Sequence, residues 1–505
     1  MVQLIQLDRK SRTPLYLQIR NQLREMILAG SLSEGAQLPP ERKLADRLGI
    51  NRGTVTNAYR ELVADGLAEA HVGRGTVVCR LDVGTEVSHP ELPAAPPWSE
   101  LLAPQPHWLR DPLLGDLTAL VARRNVISLA AGVPARDLYP TTAFGHVVRD
   151  LLAQGDPSMF GPCPTEGLEP LRRAIAEGLM DPAAGVGPDD ILIVTGSQQG
   201  LDLIARAFIE PGDAVVIEAP TYLGALQTFG AAGARLLSVP LDGHGLRLEV
   251  LQGLLARHRP KFIYTLPTCQ NPSGVTQSLK RRLGLLALAS RFGVPVVEDD
   301  PYGPLYYDEA PPRSLKGLAS HDGVIYLSTF SKIMFPGLRL GWIAAPWSVL
   351  ERLSFIKQRI DLYGNSLAQW ATAVFIRDGH LKAHLIRVRG IYPRQRQAMT
   401  DALHTRCPEL EFQVPDGGFN LWCRLPAGLK ARDLLEEAGR RGVAFVPGEV
   451  FYAEAGGEDA LRLNFSSQTE SRIREGIARL GRALAALKAR AAEMPQDKVV
   501  AQPLV

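Results

Sequence analysis

The stretch Val324-Ile-Tyr-Leu-Ser-Thr-Phe-Ser-Lys332-Ile-Met-Phe-Pro-Gly-Leu-Arg339-Leu-Gly-Trp342 opens as a strand and closes as something else. Its first four residues are apolar and partly β-branched, the pattern of an inner strand. A lysine then follows among hydroxyls, with an arginine seven places on and a proline-glycine loop between them. Lysine is almost never fully buried without a partner. At the end of a buried strand it is either an exposed loop charge or a reactive amine, and the rest of the chain decides between the two.

The same pattern recurs upstream. Ile191-Leu-Ile-Val194, Ala214-Val-Val-Ile217, Phe262-Ile-Tyr264 and Val294-Pro-Val-Val297 are short apolar runs, and helical stretches such as residues 201–208 and 279–291 alternate with them. Strand, turn and helix in repetition predict an α/β fold around a mostly parallel sheet. Ligands in such folds sit at the carboxyl ends of the strands, so the residues that follow each run carry the chemistry.

Gly196-Ser197-Gln198 opens a helix, where free N–H groups and the helix dipole favour an anion; a Gly-Ser turn that only caps a helix looks the same. Tyr222 can lie flat on a planar ring or be a core tyrosine. Asn271, in Gln270-Asn-Pro-Ser-Gly274, can donate to a ring oxygen. Glu298-Asp299-Asp300-Pro-Tyr302 places three acids at a buried strand end, which is costly unless they are paired. An aspartate there can keep a pyridine nitrogen protonated. Lys332 can form a Schiff base, and Thr329, Ser331 and Arg339 can bind a phosphate. Five such sites in order, each after an apolar run, specify pyridoxal 5′-phosphate.

The chain has 505 residues, 46% of them hydrophobic, and a net charge of +3. The first 80 residues hold 12 Lys and Arg against 8 Asp and Glu, which leaves 44 against 45 in the remainder. Five scattered cysteines give neither a disulfide framework nor metal-ligand spacing. No apolar run approaches the ~18 residues of a membrane span, and the N-terminus shows no apolar signal core. A reduced cytoplasmic protein is expected.

The basic first segment carries three helical patterns. Thr13-Pro14 reads as a cap and first helical residue ahead of Leu15, Ile19, Leu23, Met26 and Ile27. A second helix fits residues 41–48, with Leu44, Ala45 and Leu48 inward. After the Gly49-Ile50 turn, Asn51 caps a third, with Val55, Ala58, Leu62 and Val63 inward. Two helices joined by a tight glycine turn are a helix-turn-helix. The hairpin that follows, with Val72-Gly73-Arg74-Gly75 at its tip, is a wing. The third helix presents Arg52, Gly53, Thr54 and Thr56 to a major groove, while Arg42 and Arg74 reach the DNA backbone and Gly73 shapes the tip. Any three-helix unit can carry this spacing, so the motif has to be weighed with the rest of the chain.

The run from Pro14 to Val78 resembles the winged helix of GntR-family regulators, with Pro40 where that family usually has a capping serine. About residues 125–490 resemble fold-type I aminotransferases, in GSQQG, PTY, QNPSG, EDDPYG and STFSKIMFPGLRLGW. That resemblance implies Lys332 as the Schiff-base lysine and Asp299 on the pyridine nitrogen. It implies Tyr302 and Asn271 on the ring 3-oxygen and Tyr222 stacked on the ring. Ser197, Gln198, Thr329, Ser331 and Arg339 would take the phosphate, and Arg462, in Leu461-Arg-Leu-Asn-Phe-Ser466, a substrate carboxylate. Phe160 stands where the family usually has a tyrosine that reaches the partner subunit's cofactor phosphate.

The fusion resembles the MocR (GabR-like) class of bacterial regulators. This implies residues 1–80 as a DNA-binding head, 81–120 as a proline-rich linker, 121–492 as a cofactor domain with a smaller C-terminal α+β subdomain, and 493–505 as a tail. It also implies a homodimer on double-stranded operator DNA that senses an amine, an amino acid or the cofactor itself through an aldimine at Lys332. An active aminotransferase with an accessory head, or a DNA-binding protein with a vestigial cofactor site, are the competing readings.

Overall fold

The computed structural model describes residues 5–9, 11, 13–71, 75–79, 98–102, 125–307, 311–319 and 322–493. They divide into two units, Met1–Pro104 and Gln105–Val505.

In the first unit, α1 (Leu15–Leu28), α2 (Glu41–Leu48) and α3 (Arg52–Ala64) precede a hairpin of β1 (Ala68–His71) and β2 (Gly75–Val78). Ile19, Leu23 and Ile27 of α1 meet Leu44 and Ala45 of α2 and Val55, Ala58 and Leu62 of α3 in one core. Gly49 ends α2 in the left-handed region at φ 61°, which lets the chain turn at once into α3. Asn51 caps α3 as expected, its side chain accepting the Gly53 N–H. Two expectations are corrected. Pro14, not Thr13, flanks α1, with no side-chain cap. Val63 is 39% exposed, and Tyr59 takes the inward place, its hydroxyl donating to the Pro39 carbonyl at 2.8 Å. The 3.6-residue period carries the stripe 55, 58, 59, 62 past Val63.

The first residues also belong to this unit. The side-chain amides of Gln18 and Gln22, one turn apart on α1, pair with the backbone of Asp8 and Gln6. Arg9 donates to the carbonyl of Gly49 at 2.8 Å. Within the expected linker, Trp98–Leu101 forms one helical turn; most of the linker and the tail 494–505 lie outside the described residues.

The first described strand of the second unit is β3 (Ile127–Ser128). Its large sheet holds β4 (Ile191–Val194), β5 (Ala214–Ala219), β6 (Arg235–Asp242), β7 (Gly245–Leu246), β8 (Ile263–Thr265), β9 (Val296–Asp299), β10 (Val324–Thr329) and β11 (Gly341–Ala344). The spatial order is β4-β11-β10-β9-β8-β5-β6-β7. The run β10-β9-β8-β5-β6 is parallel, and β11 is antiparallel to both of its neighbours. The expected strands are all present within two residues; β9 starts after Pro295, which lacks a ladder donor. A smaller antiparallel sheet follows, built from β12 (Glu411–Phe412), β13 (Asn420–Arg424), β15 (Val446–Pro447) and β16 (Ala460–Asn464), while β14 (Val443–Ala444) pairs with β3. No described helix is long and apolar enough to cross a membrane.

Candidate functional site

The site forms where β4, β5, β8, β9 and β10 end. After β4 the chain turns at Gly196 (φ 73°) into the helix Gly196–Phe208. A Cβ on Gly196 would stand 2.6 Å from Arg339 Nη2, so the guanidinium lies directly against this turn. Arg339 also donates to the Thr195 carbonyl at 3.3 Å, and its own backbone is left-handed at φ 50°. The first N–H groups of a helix lack intrahelical partners. With an arginine over them they form a cup for an anion.

The structure sorts the residues expected around that cup. The Gln198 side chain donates to Thr228 Oγ1 at 2.7 Å, so its backbone N–H, not its amide, is what it presents at the turn. Thr329 caps the short helix Phe330–Ile333 by accepting the Ser331 N–H, and its hydroxyl also reaches the Leu340 carbonyl at 3.1 Å. Its role is to place Ser331, whose Oγ lies 3.1 Å away.

Asp299 ends β9, fully buried. Tyr264 Oη donates to its Oδ2 at 2.6 Å, while Oδ1 is buried and has no partner among the described residues. Burial pushes this carboxyl up to about 7; the Tyr264 bond opposes the shift, Asp300 adds to it and Lys332 opposes it. An orphaned buried carboxylate oxygen is expensive. A protonated ring nitrogen would satisfy it.

Lys332 follows β10, and its Nζ donates to the Gly132 carbonyl at 2.6 Å. Burial chiefly, then the charge of Arg462, lowers this amine to about 8; Asp299 opposes the shift and Arg339 adds to it. Arg462, Asp299 and Arg339 thus lie close enough to the amine to act on its charge. Tyr222 is near the same groups: burial raises its phenol, and Asp299, Arg462 and Arg339 all act on it. Tyr302 is buried against Phe419 (centroids 5.4 Å apart).

Arg462, on β16, is 8% exposed. Nη1 donates to Asn271 Oδ1 at 3.0 Å and Nη2 to the Ala130 carbonyl at 2.7 Å, while Nε has no partner among the described residues. Its guanidinium stands 5.1 Å from the Phe451 ring centroid. Among the described residues no carboxylate pairs with it. Asn420 also donates to Asn271 Oδ1, so the Asn271 amide group is turned the other way, available as a donor. Beneath this loop, Glu218 is wholly buried and accepts from Thr265, Gln270 and Gln277; Gln270 also reaches the Pro220 carbonyl at 2.7 Å. This bonding fixes the loop bearing Asn271 relative to the one bearing Tyr222.

Sequence reading missed Tyr264, Glu218, Asn420 and the carbonyls of Ala130 and Gly132. Tyr264 left a signal: a tyrosine in an otherwise apolar run, opposite Val297 in register and so beside Asp299. Backbone carbonyls leave none. Phe160 ends a short 3-10 helix and is 64% exposed.

On the first unit, the N-terminal end of α3 is more braced than expected. Arg52 Nε and Nη2 both reach Glu41 Oε2 at 3.1 Å, and Thr56 Oγ1 donates to the same oxygen at 2.9 Å. Arg42 is exposed and Thr54 half-buried. A Cβ on exposed Gly53 would meet only Asn51 Oδ1, at 3.3 Å, so a partner can approach the backbone there. Gly73 and Arg74 lie outside the described residues.

Residues 124–480 match the family model for aminotransferase class I and II, and residues 15–78 that for bacterial regulatory proteins of the gntR family. The chain is 31% identical to the probable rhizopine catabolism regulatory protein MocR of Rhizobium meliloti, over 98% of this chain and 99% of that one. It is 40% identical to aromatic-amino-acid aminotransferase 1 of Thermococcus litoralis, over 72% of this chain and 89% of that one. A solved structure of LysN, the alpha-aminoadipate aminotransferase of Thermus thermophilus, complexed with N-(5'-phosphopyridoxyl)-L-leucine, aligns with a TM-score of 0.73 at 38% identity, covering 78% of this chain and 99% of that one. Pyridoxal 5′-phosphate is the cofactor of this fold, and the free Asp299 oxygen, the Gly196 cup and the Lys332 amine fit it. The chain belongs to the aminotransferase class I and II family, in its MocR-type branch that carries a GntR winged helix ahead of the cofactor-binding fold.

Proposed function

We propose that this protein is a transcription regulator that binds double-stranded operator DNA through residues 1–80 and senses a small amine or amino acid at its cofactor domain, residues 121–492, joined by the linker 81–120 and followed by the tail 493–505. The observation that carries the reading is Arg462: a buried cation with no carboxylate partner among the described residues, close enough to the Lys332 amine to act on its charge, in a chain that also has a GntR head. A buried cation held this way suits a carboxylate that arrives from outside.

The bound cofactor supplies a carbonyl that condenses with amines and a ring that withdraws electrons. In this reading Lys332 anchors it, Asp299 keeps its ring nitrogen protonated and Tyr222 lies on its face. Asn271 and Tyr302 hold the 3-oxygen. Arg339, Ser331 and the first N–H groups at Ser197 and Gln198 hold the phosphate, with Thr329 placing Ser331. Arg52, Thr54, Thr56 and the backbone at Gly53 meet the major groove; Arg42, Gly73 and Arg74 meet the DNA backbone. A second copy of this chain completes the assembly, which the exposed Trp347, Phe355, Ile360 and Leu362 support.

The test is the visible spectrum of the cofactor-loaded protein beside Lys332→Ala, titrated with amino acids and amines. DNA binding is followed in parallel on fragments selected from a random-sequence pool. One compound is expected to shift the spectrum of the wild type and its DNA affinity together. A protein that stays colourless after cofactor is added refutes the reading. A second reading, an aminotransferase with an accessory head, is favoured by the presence of Lys332, Asp299 and Arg462 in one site. Steady turnover of an amino acid with a 2-oxo acid would establish it.

A further inference from the structure

Residues 129–135 cross the site as a strap, and we propose that this strap is what a carboxylate-bearing effector acts on. The carboxylate takes Arg462 from the carbonyl of Ala130, and the strap is released. The inference rests on the sensor reading above and adds the element that responds.

The strap is sewn to the C-terminal subdomain at both ends. The Leu129 N–H donates to Ala444 at 2.7 Å, and the Leu129 carbonyl accepts from the Asn464 N–H at 2.7 Å. Ser466 Oγ reaches the Val133 carbonyl at 3.0 Å, and the Ala135 N–H donates to the Ser466 carbonyl at 3.2 Å. Between these ends its carbonyls face the site's two buried cations. Ala130 accepts from Arg462 Nη2 at 2.7 Å, and Gly132 accepts from Lys332 Nζ at 2.6 Å. Arg462 belongs to the small sheet and Lys332 to the end of the large one, so the strap joins the two across the site.

These bonds use neutral acceptors on charged donors. A carboxylate adds charge attraction and can accept two parallel N–H bonds from one guanidinium, which a lone carbonyl cannot. Nη2 takes part in both two-pronged edges of a guanidinium, so a carboxylate bound end-on or side-on competes for the nitrogen that Ala130 uses. Nε, which has no partner, is the complementary prong of the side-on edge. Lys332 holds the other carbonyl until the cofactor engages its amine. An amino acid therefore competes with the strap in a way that an amine without a carboxylate does not.

The experiment is hydrogen–deuterium exchange on the full-length, cofactor-loaded protein. It is titrated with each of the twenty L-amino acids and with the amines made by decarboxylating them, the visible spectrum being read in parallel. An amino acid that shifts the spectrum is expected to speed exchange in peptides covering 129–135 by about fivefold, the loss of roughly one hydrogen bond's protection. Its matching amine should shift the spectrum without that gain. Ser466→Ala loosens the strap without touching either cation and is expected to bind the amino acid about fivefold more tightly, because the competing conformer is weakened. A merely structural role predicts weaker binding instead. A spectral shift with unchanged strap exchange, or equal or weaker binding by a folded Ser466→Ala, overturns the proposal and leaves the sensor reading standing. No spectral shift with any amine or amino acid removes both. If Ser466→Ala does not fold, the wild-type exchange decides alone.

Discussion

Replacing Arg462 by methionine should separate recognition of the carboxylate from recognition of the amine. Arg462 is buried, has no counter-carboxylate among the described residues, and is held by Asn271, Ala130 and the face of Phe451. A ligand carboxylate pairing with it forms a desolvated charge pair, and truncating one side of such a pair costs about 2–5 kcal/mol. At about 1.4 kcal/mol per tenfold, the amino acid loses roughly 30- to 4,000-fold in affinity. The folded state changes little by comparison. The orphaned Ala130 carbonyl costs about 1–3 kcal/mol, and removing a desolvated cation offsets much of it. Asn271 keeps its bond from Asn420. The assay is a paired spectral titration of wild type and Arg462→Met with an effector amino acid and the amine made by its decarboxylation. The ratio of the two affinities should collapse in the variant while the amine's own affinity stays within about threefold. Equal weakening of both ligands, or no change in either, refutes the carboxylate role.

Asp299→Asn leaves the Tyr264 hydroxyl an acceptor but removes the anion from the free oxygen. Cofactor affinity should fall by about ten- to a hundredfold, the worth of one charge-assisted bond, as read by absorbance titration. Gly196→Ala places a methyl against Arg339 at a backbone φ of 73°. The strain of about 1–2 kcal/mol should lower the thermal transition and weaken the cofactor's phosphate grip, whereas an unchanged midpoint and affinity would contradict the cup geometry. Because the free amine is the reactive form and Lys332 is lowered to about 8, capture of cofactor by the cofactor-free protein should speed up with rising pH and level off above about pH 8. A rate still climbing steeply at pH 10 would mean that the amine is not depressed. Glu41→Gln frees Arg52 and removes a negative charge beside the DNA face. Affinity for random DNA should rise at low salt, while discrimination in favour of selected sequences falls by about fivefold or more in competition binding.

Much of this protein is written locally. Apolar runs of three or four residues place the parallel strands β5, β8, β9 and β10, because a strand buried on both faces has to be continuously apolar. The residues just after each run mark the site, because loops at the carboxyl ends of a parallel sheet converge. The left-handed Gly49 and the capping Asn51 fix the helix-turn-helix within a few residues, and local backbone sterics act at that range. What tertiary structure alone decided is how those residues are engaged. Glu41 and Arg52 are eleven positions apart but share one carboxylate oxygen, and Tyr264 selects which Asp299 oxygen stays free. Gln198 turns its amide away to Thr228. The carbonyls of Ala130 and Gly132 meet cations some two hundred residues or more downstream. A backbone carbonyl has the same chemistry at every residue, so no side-chain pattern can announce which one will cross a site. That choice is made only when the two sheets close around it.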